Sequence, residues 1–373
     1  MASLLSGIAI GLLAAGPGTH ALAQTYRDTN LPGRLIVSGL VGDANSALFD
    51  MRTGRRTELP RSKLQPDSDT WHAESHSRIV MRWTGWSVGP SHSELAFFDG
   101  TTLRPISAAL RIPNAISTPR LSPDGRHVIT YWHNEPADEL SIEDGALTVF
   151  DTRTGAVVQR GSRLNGRIVF GNPAVWLPDG GYLYIDGKSL YAVASPKSRD
   201  ARLVATLDLP GETPTSVQAT QISISPDGKR LAFTWNEARG DVSTDKNIWV
   251  VNVDGTGLKR LTLGSERAGA LDLTHGYPVW SPDSKWVAGI LYMEGVVTGT
   301  PPGFTDDDPF AGIIVVGTTG CSSQVFVANP DGPTITLAWP ATDAYHGLRV
   351  FSRTTTTERQ WLYTCSGTLA WLP

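Results

Sequence analysis

Ser225-Pro226-Asp227-Gly228-Lys229-Arg230-Leu231-Ala232-Phe233-Thr234 reads as a tight turn feeding a strand. Pro226 fixes φ, Asp227 bonds the backbone locally and Gly228 supplies a positive φ. The run Arg230 to Trp235 is apolar and β-prone. The stretch has echoes: Ser122-Pro123-Asp124-Gly125-Arg126-His127-Val128-Ile129-Thr130, Leu177-Pro178-Asp179-Gly180 and Ser281-Pro282-Asp283-Ser284. Successive copies lie roughly 47 to 56 residues apart, the period of a propeller blade.

Working outward from the turn, each copy resolves into four strands. A short strand leads in (Pro278-Val279-Trp280) and the apolar strand follows the turn. A third strand, Asn247 to Val253, ends in a second turn signal, Asp254-Gly255, and a short fourth strand, Leu258 to Thr262, closes the unit. The strand-then-turn skeleton recurs at Ala47–Phe49 before Asp50 to Gly54, Leu95–Phe98 before Asp99-Gly100, Ala146–Phe150 before Asp151 to Gly155, and Gln324–Ala328 before Asn329 to Gly332. These repeats predict an all-β fold, a single β-propeller of four-stranded blades. Seven is the leading count and six the alternative.

The ends are expected to close the ring. Trp361 to Trp371 mirrors the hairpin Tyr182 to Tyr191 and reads as the middle hairpin of a last blade, whose outer strand Arg34–Ser38 could supply. In the alternative, Leu369 to Pro373 completes the first blade.

The stretch Ile222 to Leu263 resembles the repeat of the TolB-type (WD40-like) propeller family, which also builds the propellers of prolyl-oligopeptidase-like enzymes. The resemblance covers nearly all of the mature chain, strongest over 117–163 and 219–290. It implies the fold and leaves function open, because propellers host many activities. Neither the N-terminal α/β domain of TolB proteins nor a peptidase domain is expected, so the family's envelope-complex role does not transfer directly.

Composition agrees. The 373 residues include 38 Gly and 12 Trp, and only 18% are charged, which suits strands and tight turns in a repeat architecture. A net charge of −4 with no basic stripe argues against nucleic acid. Residues 1–23 read as a signal peptide: Leu4 to Ala15 is largely apolar but too short to span a bilayer, and Ala21-Leu22-Ala23 offers a cleavage site before Gln24. The segment carries no Lys or Arg. Residues 24–373 then form the propeller domain, periplasmic or secreted, peripheral to a membrane at most, and monomeric.

No nucleophile elbow, zinc motif, Walker loop or dinucleotide fingerprint occurs. The loops joining second to third strands share one face by symmetry, and they are the long ones: His133 to Gly145, Asn236 to Lys246 and Met293 to Ser323. Long loops on a rigid frame are where binding is expected. Trp83, Trp132 and Trp235 share a register at the ends of second strands, with Trp86 nearby and Tyr292 one step off. They are candidate contact residues; packing between blades is the competing reading. His133, Glu135, Asn236, Glu237 and Glu294 complete the candidate binding set.

Cofactors are not expected. Asp306, Asp307 and Asp308 are weak candidates for Ca²⁺, without the spacing of a known calcium loop. His72, Glu74 and His76 form a weaker metal trio at a first turn, and Arg239-Gly240-Asp241 is taken as coincidence. Cys321 and Cys365 are expected to pair in an oxidising compartment, closing a loop of about 45 residues worth roughly 4 kcal/mol before strain. The functional expectation is an exported, non-catalytic module binding a protein, peptide or glycan in the cell envelope. The alternative is a carbohydrate-active propeller enzyme, a polysaccharide lyase or glycosidase using paired carboxylates.

Overall fold

The computed structural model describes residues 31–40, 45–53, 55–61, 69–74, 77–84, 92–113, 118–132, 145–161, 174–211, 220–236, 246–262, 271–297, 314–316, 323–331, 334–336, 338–340, 359–361, 363–364 and 368–373. Every named element among them is a strand. They form six four-stranded antiparallel blades, so six is the blade count among the described residues.

Blade 1 runs, inner to outer strand, Leu369–Leu372, Arg34–Leu40, Asn45–Asp50 and Arg56–Glu58. Blade 2 is Asp69–His72, Ile79–Thr84, His92–Asp99 and Leu110–Pro113. Blade 3 is Arg120–Leu121, His127–Trp132, Ala146–Asp151 and Val157–Arg160. Blade 4 is Ala174–Trp176, Tyr182–Asp186, Ser189–Val193 and Ala201–Thr206. Blade 5 is Thr220–Ile224, Arg230–Asn236, Lys246–Asn252 and Lys259–Arg260. Blade 6 is Leu271–Trp280, Val287–Val297, Ser323–Ala328 and Thr334–Thr336.

The C-terminal strand is the inner strand of blade 1, in register Arg34↔Leu372 through Val37↔Leu369. Arg34–Leu40 is therefore a second strand, flanked by Leu369–Leu372 and Asn45–Asp50, and not an outer strand completing a separate last blade. The expected seventh blade fails for this reason: its C-terminal half belongs to the first blade. Tyr363–Thr364 instead pairs with both Ser323–Gln324 and Leu40, joining blades 6 and 1 along one ladder.

Blades bury both faces of each sheet, so strands carry apolar side chains at successive positions and not only at alternate ones. In blade 1, Leu35 and Val37 pack toward Val279, Ala288 and Ile290 of blade 6, whereas Ile36 between them packs toward Trp71 and Val80 of blade 2. The same division gives apolar clusters between blades 2 and 3, 3 and 4, 4 and 5, and 5 and 6. Six sheets thus share six interfaces, as a closed ring requires.

The repeated turn explains its own sequence. Ser122 Oγ donates to Asp124 Oδ1 at 2.6 Å and accepts from His127 N–H at 2.9 Å, while Asp124 Oδ1 also accepts from Arg126 N–H at 3.0 Å. Ser225 with Asp227, and Ser281 with Asp283, repeat all three bonds. Gly125, Gly180 and Gly228 hold φ of 72°, 88° and 70°, and Ser284 holds 59° at the equivalent position. Ser284 Oγ accepts from the backbone N–H of Asp227 at 3.1 Å, across to blade 5. Ser284→Ala keeps the left-handed backbone and loses that bond, so it should cost about 1 kcal/mol in urea unfolding. Ser284→Gly also relieves about 1 kcal/mol of strain and should stay near wild type. Equal losses in both variants would contradict this assignment.

Candidate functional site

Inner strands bring polar side chains to the axis. His72 of blade 2, Thr118 and Arg120 of blade 3, Gln221 of blade 5, Tyr277 of blade 6 and Thr368 of blade 1 line one small cavity. Five of the six blades contribute. Blade 4 acts from behind, since Trp176 Nε1 donates to the Arg120 carbonyl at 2.9 Å.

The backbone is bent to reach this cavity. Register shifts interrupt blade 5 between Thr220 and Ser223 and blade 6 between Gly276 and Val279. At these bulges Gln221 and Tyr277 each take φ of 55°. Both stand four residues ahead of the turn serine, Ser225 and Ser281, so the strain falls at one repeat position. Gln221 Oε1 accepts from Tyr277 N–H at 2.7 Å and Thr234 Oγ1 at 3.1 Å, tying the two bulges together. Left-handed non-glycine residues are costly and cluster at functional sites.

Charge is concentrated on the other side of the cavity. Arg120 and Glu74 are 8% and 4% exposed, with Arg120 Nη1 lying 3.8 Å from Glu74 Oε1. That exceeds hydrogen-bond length. Arg120 Nη2 donates to the Ile222 carbonyl at 2.8 Å, linking blades 3 and 5 across the axis. Arg120 Nε, Glu74 Oε1 and His72 Nε2 have no hydrogen-bond partner. Burial pushes the Glu74 carboxyl up to about 7 against the pull of Arg120. Burial, aided by Arg120, holds His72 well below its ordinary value and therefore neutral. Three unpaired polar groups at one buried point are costly unless something else supplies their partners.

The raised Glu74 gives a signed pH effect. Its folded state holds the proton more tightly than the unfolded chain. Its contribution to stability is complete below the ordinary value of 4.5 and is lost as pH rises toward 7. Glu74→Gln should remove this loss, so its stability relative to wild type rises by on the order of 3 kcal/mol between about pH 4.5 and 7. Urea unfolding of both proteins at stepped pH checks this, and parallel profiles would contradict it. Asp99, Asp151 and Asp254 act oppositely. Hydrogen bonds from Thr102, Thr154 and Thr256 hold their carboxylates below the usual range, so their support exists at neutral pH and disappears in acid.

The sequence candidates fall differently. Trp235 is fully buried between blades 4 and 5, its Nε1 donating to the Pro210 carbonyl at 3.1 Å. Trp132 is buried against Phe150, edge-on at 5.7 Å, beneath the Arg160 guanidinium. Trp83 packs half-buried at the interface of blades 2 and 3. The shared tryptophan register is thus an interblade packing position, and Trp235 presents no surface for a partner. Asn236 is half-buried at the end of its strand. Tyr292 and Glu294 lie in the second strand of blade 6, where only the backbone is described. Trp86, His133, Glu135, Glu237, Asp306, Asp307, Asp308, Cys321 and Cys365 lie outside the described residues, as does His76. Among the described residues, no three His, Cys, Asp or Glu side chains gather as metal ligands.

Sequence reasoning missed Arg120, Gln221 and Tyr277. The available signal was register: a polar residue two or four positions ahead of the turn serine, where the inner strand meets the axis.

The class defined by this fold is a six-bladed β-propeller with a polar axial cavity. No protein-family model and no curated protein matches the chain. Among solved structures, it is similar to a putative TolB from Agrobacterium tumefaciens, at 12% identity over 92% of this chain and 99% of that one, with a TM-score of 0.44. A periplasmic gluconolactonase from Pseudomonas aeruginosa matches at 16% identity over 89% of this chain and 99% of that one, TM-score 0.45. A GH74 xyloglucanase from Xanthomonas campestris matches at 10% identity over 92% of this chain and 54% of that one, TM-score 0.46.

Proposed function

We propose that this chain is an exported, non-catalytic binding module of the cell envelope that receives part of its ligand at the propeller axis. The observation that supports this reading is a pair of buried groups without a hydrogen-bond partner, Arg120 Nε and His72 Nε2, on two residues that line a cavity drawn from five blades. Such groups are poised to hold a ligand whose polar atoms replace water. The leader-like residues 1–23 support export. The long connections His133 to Gly145, Asn236 to Lys246 and Met293 to Ser323, expected from the repeat to share one face, would give a partner protein, peptide or glycan a wider surface.

The alternative, a glycosidase or polysaccharide lyase, is less supported by this geometry. Glycoside hydrolysis ordinarily uses two carboxylates, and none of the described residues that line the cavity carries one. Capture from envelope extract by mature protein tests the reading, comparing wild type with Arg120→Lys at the axis and Glu135→Ala with Glu237→Ala on the loops. Loss of the same partner in the axial variant is expected. Equal recovery from every variant overturns the axial reading, and turnover of a polysaccharide panel by wild type establishes the enzyme instead.

A further inference from the structure

We infer that the axial cavity takes a carboxylate group, seated against the Arg120 guanidinium. This deepens the axial-binding reading and rests on it. Charge is the first argument. The Arg120 side chain is a guanidinium cation, His72 is neutral, and the nearest described carboxyl lies beyond hydrogen-bond length: Glu74 Oε1 is 3.8 Å from Nη1. A buried guanidinium with an unpaired Nε–H asks for a planar acceptor with two oxygens. Inverting the roles fails, because a cationic ligand would be placed beside Arg120.

Size is the second argument. The cavity has room for about one or two water molecules. A sugar ring exceeds such a space, whereas a small planar group need place only its polar end there. A carboxylate seated there would accept the Arg120 Nε–H bond that has no partner.

Glu74 is the third. A second carboxylate near Arg120 would repel Glu74 if both were ionised. Glu74 carries its proton at or just below neutral pH at small cost, because burial already opposes its charge. Binding breaks no bond, and Glu74 takes up a proton from solvent only where it is still ionised. Among the described residues, Arg120 is the charged group acting on Glu74.

The carboxylate could be a free small acid or a chain terminus, and the test separates these. Isothermal titration of the mature protein compares acetate with acetamide, inorganic phosphate, and a short glycine peptide carrying either a free or an amidated C-terminus, at matched ionic strength with chloride. The expected result is saturable binding of acetate, none of acetamide, and weaker or no binding of phosphate. Preference for the free-terminus peptide over acetate assigns a chain end, and equal binding by acetate alone assigns a free acid. Arg120→Lys should weaken acetate by about tenfold or more through loss of the paired donors. Glu74→Gln, which removes the competing anion, should bind acetate more tightly than wild type, and a cooperative urea transition in Arg120→Lys shows that variant to be folded. Equal binding of acetamide, stronger binding of phosphate, or no saturable binding (a cavity for water only) overturns the inference. The two readings fail separately. Partner capture that depends on Arg120 without carboxylate preference sinks the inference alone. Acetate binding with partner capture unchanged in Arg120→Lys sinks the axial partner reading.

Discussion

Deletion of Leu369–Pro373 is expected to abolish cooperative folding. Leu369, Ala370, Trp371 and Leu372 are all buried. Alternation along this one strand serves two interfaces: Leu369 and Trp371 pack between blades 6 and 1, Ala370 and Leu372 between blades 1 and 2. The deletion also strips the backbone partners of Arg34 to Val37 and the bond from Trp371 Nε1 to the Pro32 carbonyl, 2.8 Å long. Truncating one buried Leu or Trp commonly costs about 2–5 kcal/mol, so losing three large apolar side chains with their strand rivals the whole stability of a domain, about 5–15 kcal/mol. Loss of the near-UV circular dichroism and of a urea transition is the expected result. Gly33→Ala makes the point with one atom: at φ of 76°, its new Cβ would stand 2.2 Å from the Leu372 carbonyl oxygen. A deletion variant with an unchanged urea midpoint would contradict ring closure.

Trp235→Ala is expected to lose about 3–5 kcal/mol of stability. The side chain is fully buried in an apolar cluster that draws Val175, Leu183 and Ile185 from blade 4 and Leu231, Phe233 and Val251 from its own blade. Trp235→Phe keeps most of the packing and leaves the Pro210 carbonyl without its donor, so it should lose less. Denaturant unfolding of the three proteins orders them. A Trp235→Ala variant as stable as wild type would return Trp235 to the surface. Partner capture by Trp235→Ala therefore reports on folding first and cannot by itself map a binding face.

The turns and strands were readable because each residue in Ser-Pro-Asp-Gly has a local task, which the bonds of Ser122, Ser225 and Ser281 then perform identically. Local chemistry repeated in sequence repeats in space. Blade number was harder. Trp361 to Trp371 looks like a hairpin, yet its last strand pairs with Arg34 to Val37, more than three hundred residues away, and a pairing of that range leaves no short-range trace. The repeated tryptophans carried two readings, contact and packing, because a blade-to-blade interface needs large side chains as much as a binding surface does; Trp132 and Trp235 are buried. The axial cluster was the least legible. Arg120, Gln221 and Tyr277 are separated along the chain by whole blades, and His72 and Glu74 drew notice only as metal ligands. Only closing the ring puts them around one point.

The most direct test is whether the axis holds a polar binding site of fixed structure, and the Arg120 Nε–H is its reporter. In protein labelled with ¹⁵N-arginine, the Nε–H resonance missing from Arg120→Lys identifies it. The expected result is a protected resonance at neutral pH that moves saturably as acetate is added and stays still with acetamide. A resonance that exchanges freely with solvent, or that ignores both additives while other arginines respond, would contradict the axial site.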